Sequence, residues 1–175
     1  QGGFISQRFI TAGKLQLDQQ IAGQDITAAR LRLHSQEQRV LSDVRIRFYA
    51  ALAAQKRLEF TRKLVRIGDE LVAATRTLLA GRLGTENDLL QAEIRVDESR
   101  SLRDNARNQQ AEAWRRLSAV IGSPHMPMVP LSGDLTESLP ELEWDTCLQT
   151  VLDSNPELNA ARTRVERAEI TILRA

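Results

Sequence analysis

The sequence predicts an all-α protein whose main feature is a long antiparallel coiled-coil helical hairpin, followed by a smaller portion of loop and short helix. Three observations carry this. From about Lys14 to Leu79 there is no proline, and the only breakers are Gly23 and Gly68, each costing a helix about 1 kcal/mol relative to Ala. Apolar residues in that stretch recur at steps of three and four, the spacing of one helical stripe. Aromatic residues make up only 4% of the chain and charged residues 27%, so bulky core formers are too few for a thick globular interior.

Residues 1–13 read as an extended lead-in: Phe4, Ile5, Phe9 and Ile10 favour a strand, and Gly2 and Gly3 loosen the start. The long helix is expected over about 14–80. At the usual rise per residue it measures roughly 100 Å, several times an average helix. Its stripe begins with Leu41, Val44, Phe48 and Ala51. After a polar slip at Gln55 it continues at Leu58. Leu64, Ile67, Leu71, Ala74 and Leu78 form a second run, shifted in register, which predicts a non-uniform superhelix.

The segment from Ala80 to Asp88 breaks the pattern. Gly81 and Gly84, three residues apart, suit a helix end that passes through a left-handed residue. Thr85 is placed to cap the next helix, and Glu86 and Asp88 put acidic groups in its positive first turn. So short a connection folds the next helix back antiparallel. That helix is expected over about 86–121. Leu89, Ala92, Val96, Ser99, Arg103, Ala106, Gln110, Ala113, Leu117 and Val120 keep a strict alternation of three and four. Its small residues permit close approach, while Arg103 and Gln110 imply that part of the seam meets water or a charged partner.

Gly122, Ser123 and Pro124 stop the second helix. Residues 122–143 read as loop, with Pro124, Pro127, Pro130 and Pro140 and a turn at Ser132-Gly133-Asp134. A short helix is expected over about 145–153. Asn155-Pro156-Glu157 then has the order of a helix start: cap, first-turn proline, acid. The hairpin at 14–121 and the portion at 122–175 are thus the two parts that follow the lead-in.

Composition excludes several functions. The 24 basic and 23 acidic residues leave a formal net charge of +1, which gives no electrostatic case for nucleic acid. No stretch reaches the ~18 consecutive apolar residues of a spanning helix. The single cysteine, Cys147, reads as a buried structural thiol beside Trp144, Leu148 and Val151. His34 sits on a polar helix face and reads as a solvated surface histidine. No catalytic triad, phosphate loop or zinc spacing is present, so no catalytic residue is assigned. His125-Met126-Pro127-Met128 offers soft ligands, but methionines filling a crevice beside a proline-kinked loop are the preferred reading. No metal or cofactor is expected. The chain begins at Gln1 rather than Met and stops within a helical pattern, so it reads as a piece of a longer protein.

Five stretches, in order, resemble the TolC-like outer membrane factor family. Residues 5–14, from Ile5-Ser6-Gln7-Arg8-Phe9 to Lys14, are similar to the segment that leaves the membrane strands and starts the long helix. Asp43-Val44-Arg45-Ile46-Arg47-Phe48-Tyr49-Ala50-Ala51-Leu52 resembles a mid-helix signature. Gly84-Thr85-Glu86-Asn87-Asp88-Leu89-Leu90-Gln91-Ala92-Glu93 resembles the hairpin tip. Leu117 to Gly122 followed by Leu131-Ser132-Gly133-Asp134-Leu135 resembles the exit to the equatorial region, and Asn155-Pro156-Glu157-Leu158 with Ala160-Ala161 the opening of a second repeat. One departure stands out: family members often carry an aromatic residue just before the tip glycine, where this chain has Leu78 and Leu79.

The resemblance implies a periplasmic piece, from the first of two repeats, of an outer membrane channel in a tripartite efflux or type I secretion system. It implies three copies forming an α-barrel topped by a β-barrel, passive conduction, a periplasmic adaptor at the tip, and an inner membrane transporter acting indirectly. The docking residues it implies are Gly81, Arg82, Leu83, Gly84, Thr85, Asp88 and Leu89. Two rivals are a periplasmic adaptor's own hairpin and a structural coiled-coil scaffold without a transport role. Adaptors flank their hairpin with Gly- and Val-rich β halves, whereas here the C-terminal flank reads as helical.

Overall fold

The computed structural model describes Gly3, residues 13–136 and residues 141–174. The strand-prone positions Phe4, Ile5, Phe9 and Ile10 lie outside the described residues. Four helices follow in order: α1 (Lys14–Ala80), α2 (Glu86–Val120), α3 (Trp144–Ser154) and α4 (Pro156–Arg174). There is no strand among the described residues, and none of their helices is long and apolar enough to cross a membrane. Gly13, with φ +71°, starts α1, its carbonyl accepting from the backbone N–H groups of Gln16 and Leu17. The chain packs as two compact units, one of residues 1–40 with 139–175 and the other of residues 41–138.

In the first unit the early part of α1 runs antiparallel to α4. The pairs Asp25–Arg167 (2.7 Å), Gln24–Glu166 (3.2 Å) and Arg39–Glu157 (3.0 Å) fix that direction, and Asp18 pairs with Arg174 further along. Ala28, Ala160 and Thr163 are buried, so small side chains carry this packing. Asn155 caps α4, its side-chain oxygen accepting from the N–H groups of Glu157 (2.8 Å) and Leu158 (3.2 Å). The expected burial of Cys147 is corrected. The thiol is half-buried, α3 has no buried residue, and Trp144 on the same helix is 77% exposed.

The second unit is the hairpin. The α2 seam read from the sequence is the seam that forms: Ala92, Val96, Ala106 and Leu117 are buried, and Arg103 and Gln110 are half-buried. Arg103 turns its guanidinium to Asp104 at 2.9 Å. On α1 the first expected run holds, with Ala51 and Leu58 buried and Val44 and Phe48 half-buried, but in the second run the register differs from the expectation. Thr61, Val72 and Thr75 are buried and Val65, Gly68 and Leu79 half-buried, whereas Ile67, Leu71 and Leu78 remain about half exposed. Hydrophobicity alone favoured the wrong stripe. The seam residues of α1 are small because the backbones come close: a Cβ on Gly68 would lie 2.8 Å from Val96 Cγ2. Threonine tolerates burial there because its hydroxyl bonds its own helix, Thr61 to the Arg57 carbonyl (3.1 Å) and Thr75 to that of Leu71 (2.9 Å).

At the other end of this unit the loop after α2 folds over the hairpin. Ala51, Trp114 and Leu117 form a buried cluster with Phe48, Ala113, Met126 and Leu131 against it. The Trp114 indole N–H donates to the Met126 carbonyl at 3.1 Å. Gln55, a polar interruption in the sequence pattern, exchanges two hydrogen bonds with the Leu131 backbone, at 3.0 and 2.9 Å. Met126 therefore packs as crevice filler, while His125 is exposed.

Candidate functional site

The hairpin tip is built by two capping devices placed end to end. Leu83 N–H donates to the Leu78 carbonyl (2.8 Å) and Arg82 N–H to that of Leu79 (3.0 Å). This is the Schellman arrangement that satisfies the last carbonyls of a helix. The same pattern closes α2, where Ser123 bonds Ser118 and Gly122 bonds Ala119. At α2 the left-handed position is Gly122, with φ +80°; at the tip it is Arg82, with φ +54°. The expectation that a tip glycine would supply the left-handed residue is corrected. Gly81 and Gly84 have ordinary φ, and a Cβ on either would meet nothing closer than 3.5 Å.

A side chain at a left-handed position costs roughly 1–2 kcal/mol, which the unfolded-state freedom of glycine partly offsets. Arg82→Gly is therefore expected to stabilise the hairpin by about 0.5–1 kcal/mol. Urea unfolding followed by circular dichroism checks this, and a loss of stability would show that the guanidinium itself supports the turn.

The second device is a capping box. Asp88 N–H donates to Thr85 Oγ1 (3.2 Å). Asp88 Oδ2 accepts from the Thr85 N–H (3.0 Å) and hydroxyl (2.6 Å). Those hydrogen bonds, the hydroxyl's first and then the backbone N–H's, hold the Asp88 carboxyl below the ordinary aspartate value of 3.8. A carboxyl lowered on folding contributes its full stabilisation above that ordinary value and loses it as pH falls through the lower, folded one. Fraying of the first turn of α2 is thus expected in acid, below the usual carboxylate range. Amide exchange at Asp88 and Leu89 against pH reads it, and Asp88→Asn abolishes the dependence.

The seven tip residues thus separate by position. Thr85 and Asp88 bond each other, Gly81 and Gly84 carry the turn, and Leu89 packs half-buried against Val72, Ala92 and Val96. Arg82 and Leu83 face solvent, Leu83 at 80% exposure. Arg82 has no ion pair or hydrogen-bonded side-chain partner among the described residues. Leu78 and Leu90, both about half exposed, enlarge the apolar surface next to the tip. The sequence assigns Leu78 to the seam, whereas the residue after it, Leu79, is the half-buried one.

Comparison with curated proteins and with solved structures returned no match. The profile of the outer membrane efflux protein family matches residues 2–123, which takes in all of α1, the tip and α2. The stretches at 131–135 and 155–161 lie beyond that match. With a profile covering well over half of its 175 residues, the chain belongs to the outer membrane efflux protein family.

Proposed function

We propose that the chain forms part of the periplasmic wall of an outer membrane channel in a tripartite efflux or type I secretion system. Three copies of the complete protein enclose the conduit. Substrates pass through it without chemistry, driven by an inner membrane transporter that acts through a periplasmic adaptor. The hairpin tip is the adaptor's docking point, with Gly81, Arg82, Leu83, Gly84, Thr85, Asp88 and Leu89 as its elements.

The observation that carries this reading is the pair Arg82 and Leu83. An arginine sits where the same turn elsewhere in the chain has glycine, and the next residue is a leucine 80% exposed. Both features are unfavourable for a mere connector and suited to a partner that covers them. In this arrangement Thr85 and Asp88 stiffen the turn, and Arg82 and Leu83 make the contact.

Leu83→Glu in the full-length protein separates contact from architecture. A carboxylate there is harmless in water and costly once a partner desolvates it. The trimer is expected to assemble normally in the outer membrane, while export falls and cross-linking to the adaptor weakens. Normal export and cross-linking for Leu83→Glu, Arg82→Glu and Asp88→Lys alike would reduce the tip to a helix connector.

A further inference from the structure

We infer that the groove between α1 and α4 around Arg32 and Arg164 binds a small oxyanion of the phosphate class, held by one guanidinium from each helix. The site lies in the first compact unit, away from the hairpin tip, and does not depend on what docks there.

At two other levels of this helix pair each arginine has its own acid: Asp25 pairs with Arg167 at 2.7 Å, and Asp18 with Arg174. The groove breaks that balance. Three arginines line it, Arg32, Arg39 and Arg164, with one acid, Glu157. That acid is already engaged. Glu157 Oε1 accepts from the Arg39 guanidinium at 3.0 Å and from the Ser35 hydroxyl at 3.0 Å. Arg32 and Arg164 have no ion pair or hydrogen-bonded side-chain partner among the described residues.

Helix register brings these two guanidiniums to one place. The pairs Asp25–Arg167 and Asp18–Arg174 set which residues stand level. By that register Arg32 is level with Ala160, and Arg164 with Ala28. The two levels are one helical turn apart, about 6 Å, which is within the reach of two arginine side chains. Ala28 and Ala160 are buried, at 5% and 4% exposure, and each ends at a methyl. The space that longer side chains would fill stays open, as a groove of about 390 Å³.

The chemistry of the lining selects the ligand. An arginine fork presents paired N–H donors that match the oxygens of a phosphate or carboxylate. With Glu157 neutralising Arg39, two positive charges are left one turn apart, and an anion between them relieves their repulsion. A cation gains nothing in such a groove. An apolar ligand would strip water from both guanidiniums without replacing its hydrogen bonds. Forks on opposite helices favour an anion with oxygens on two sides, so a diphosphate should bind more tightly than a monophosphate.

The test titrates the chain with inorganic phosphate and, separately, with pyrophosphate, at constant ionic strength. Calorimetry gives the dissociation constants, and circular dichroism confirms that helix content is unchanged in each variant. Pyrophosphate is expected to bind more tightly than phosphate. Arg32→Gln and Arg164→Gln should each weaken pyrophosphate binding about tenfold or more. Arg32→Lys keeps the charge but loses the fork, and should weaken it as well. Arg30→Gln, about 200° around α1 from Arg32, should leave it as it was. Glu157→Gln frees Arg39 and should tighten binding about two- to fivefold. Absence of binding, an equal loss for Arg30→Gln, or full affinity for Arg32→Lys would reduce the groove to diffuse positive charge and overturn the proposal. Weaker binding by Glu157→Gln would overturn it too. So would adsorption to phosphatidylglycerol vesicles that soluble pyrophosphate does not displace, since that result identifies a lipid headgroup surface and not a small-anion site.

Discussion

Trp114→Ala is expected to cost the hairpin about 3–5 kcal/mol, the usual range for deleting a buried tryptophan. Trp114 is 6% exposed and sits in the cluster with Ala51 and Leu117, covered by Phe48, Met126 and Leu131. Two losses combine. The cavity removes packing between α1, α2 and the following loop. The Met126 carbonyl also loses the indole donor 3.1 Å away, a further cost of about 1 kcal/mol where no water replaces it. Trp114→Phe separates them, since it keeps most of the apolar bulk and removes only the N–H. Urea unfolding gives the energies, and limited proteolysis of residues 122–136 reports whether the loop comes free. A Trp114→Ala variant less than about 1 kcal/mol below the parent would mean that this cluster does not anchor the loop.

How much of this was legible depends on which physical signal each element uses. The helix limits were, because they rest on local chemistry: Gly13 before α1, Thr85 before α2, Asn155-Pro156-Glu157 at α4. Structure and sequence agree on these starts to within a residue or two. The α2 seam was legible because its positions keep one period without competition. The α1 seam was legible at Ala51 and Leu58 but not over residues 61–79, where two stripes with the same period lie one residue apart. The more hydrophobic of them is the one left uncovered. Thr61, Gly68 and Thr75 look like interruptions until the nearness of α2 is known.

Gln55 failed for a related reason. It reads as a slip in the pattern, but it holds the Leu131 backbone through both ends of its amide. Contacts 76 residues apart leave no trace in local periodicity. The tip was legible in outline, as a capped reversal near Gly81–Thr85. Its conformation was not, because a glycine is the ordinary choice for a left-handed position and here Arg82 takes it. Exposure of Trp144 and the half-burial of Cys147 were missed as well: an apolar helical face predicts a need for cover, not its presence.

Gly68→Leu is expected to destabilise the hairpin by about 3 kcal/mol, although the substitution should favour helix formation by itself. The conflict is between local and tertiary terms. Relieving glycine's backbone freedom in a helix is worth about 1 kcal/mol. Against it, even one added carbon would sit 2.8 Å from Val96 Cγ2 and 3.6 Å from the Val96 Cα. Val96 is 2% exposed and, being β-branched in a helix, has essentially one side-chain rotamer. It cannot turn aside, so the two backbones must separate or α1 must slide. A double-mutant cycle isolates the contact. Gly68→Ala and Val96→Ala are each expected to destabilise, the first by overlap and the second by a void, and together they should lose less than the sum. A coupling of about 0.5–3 kcal/mol in that direction is expected for residues in direct contact. Strict additivity, or a gain in stability from Gly68→Ala alone, would show that α2 has room to move, and that the threonines and glycine of α1 are not there for close approach.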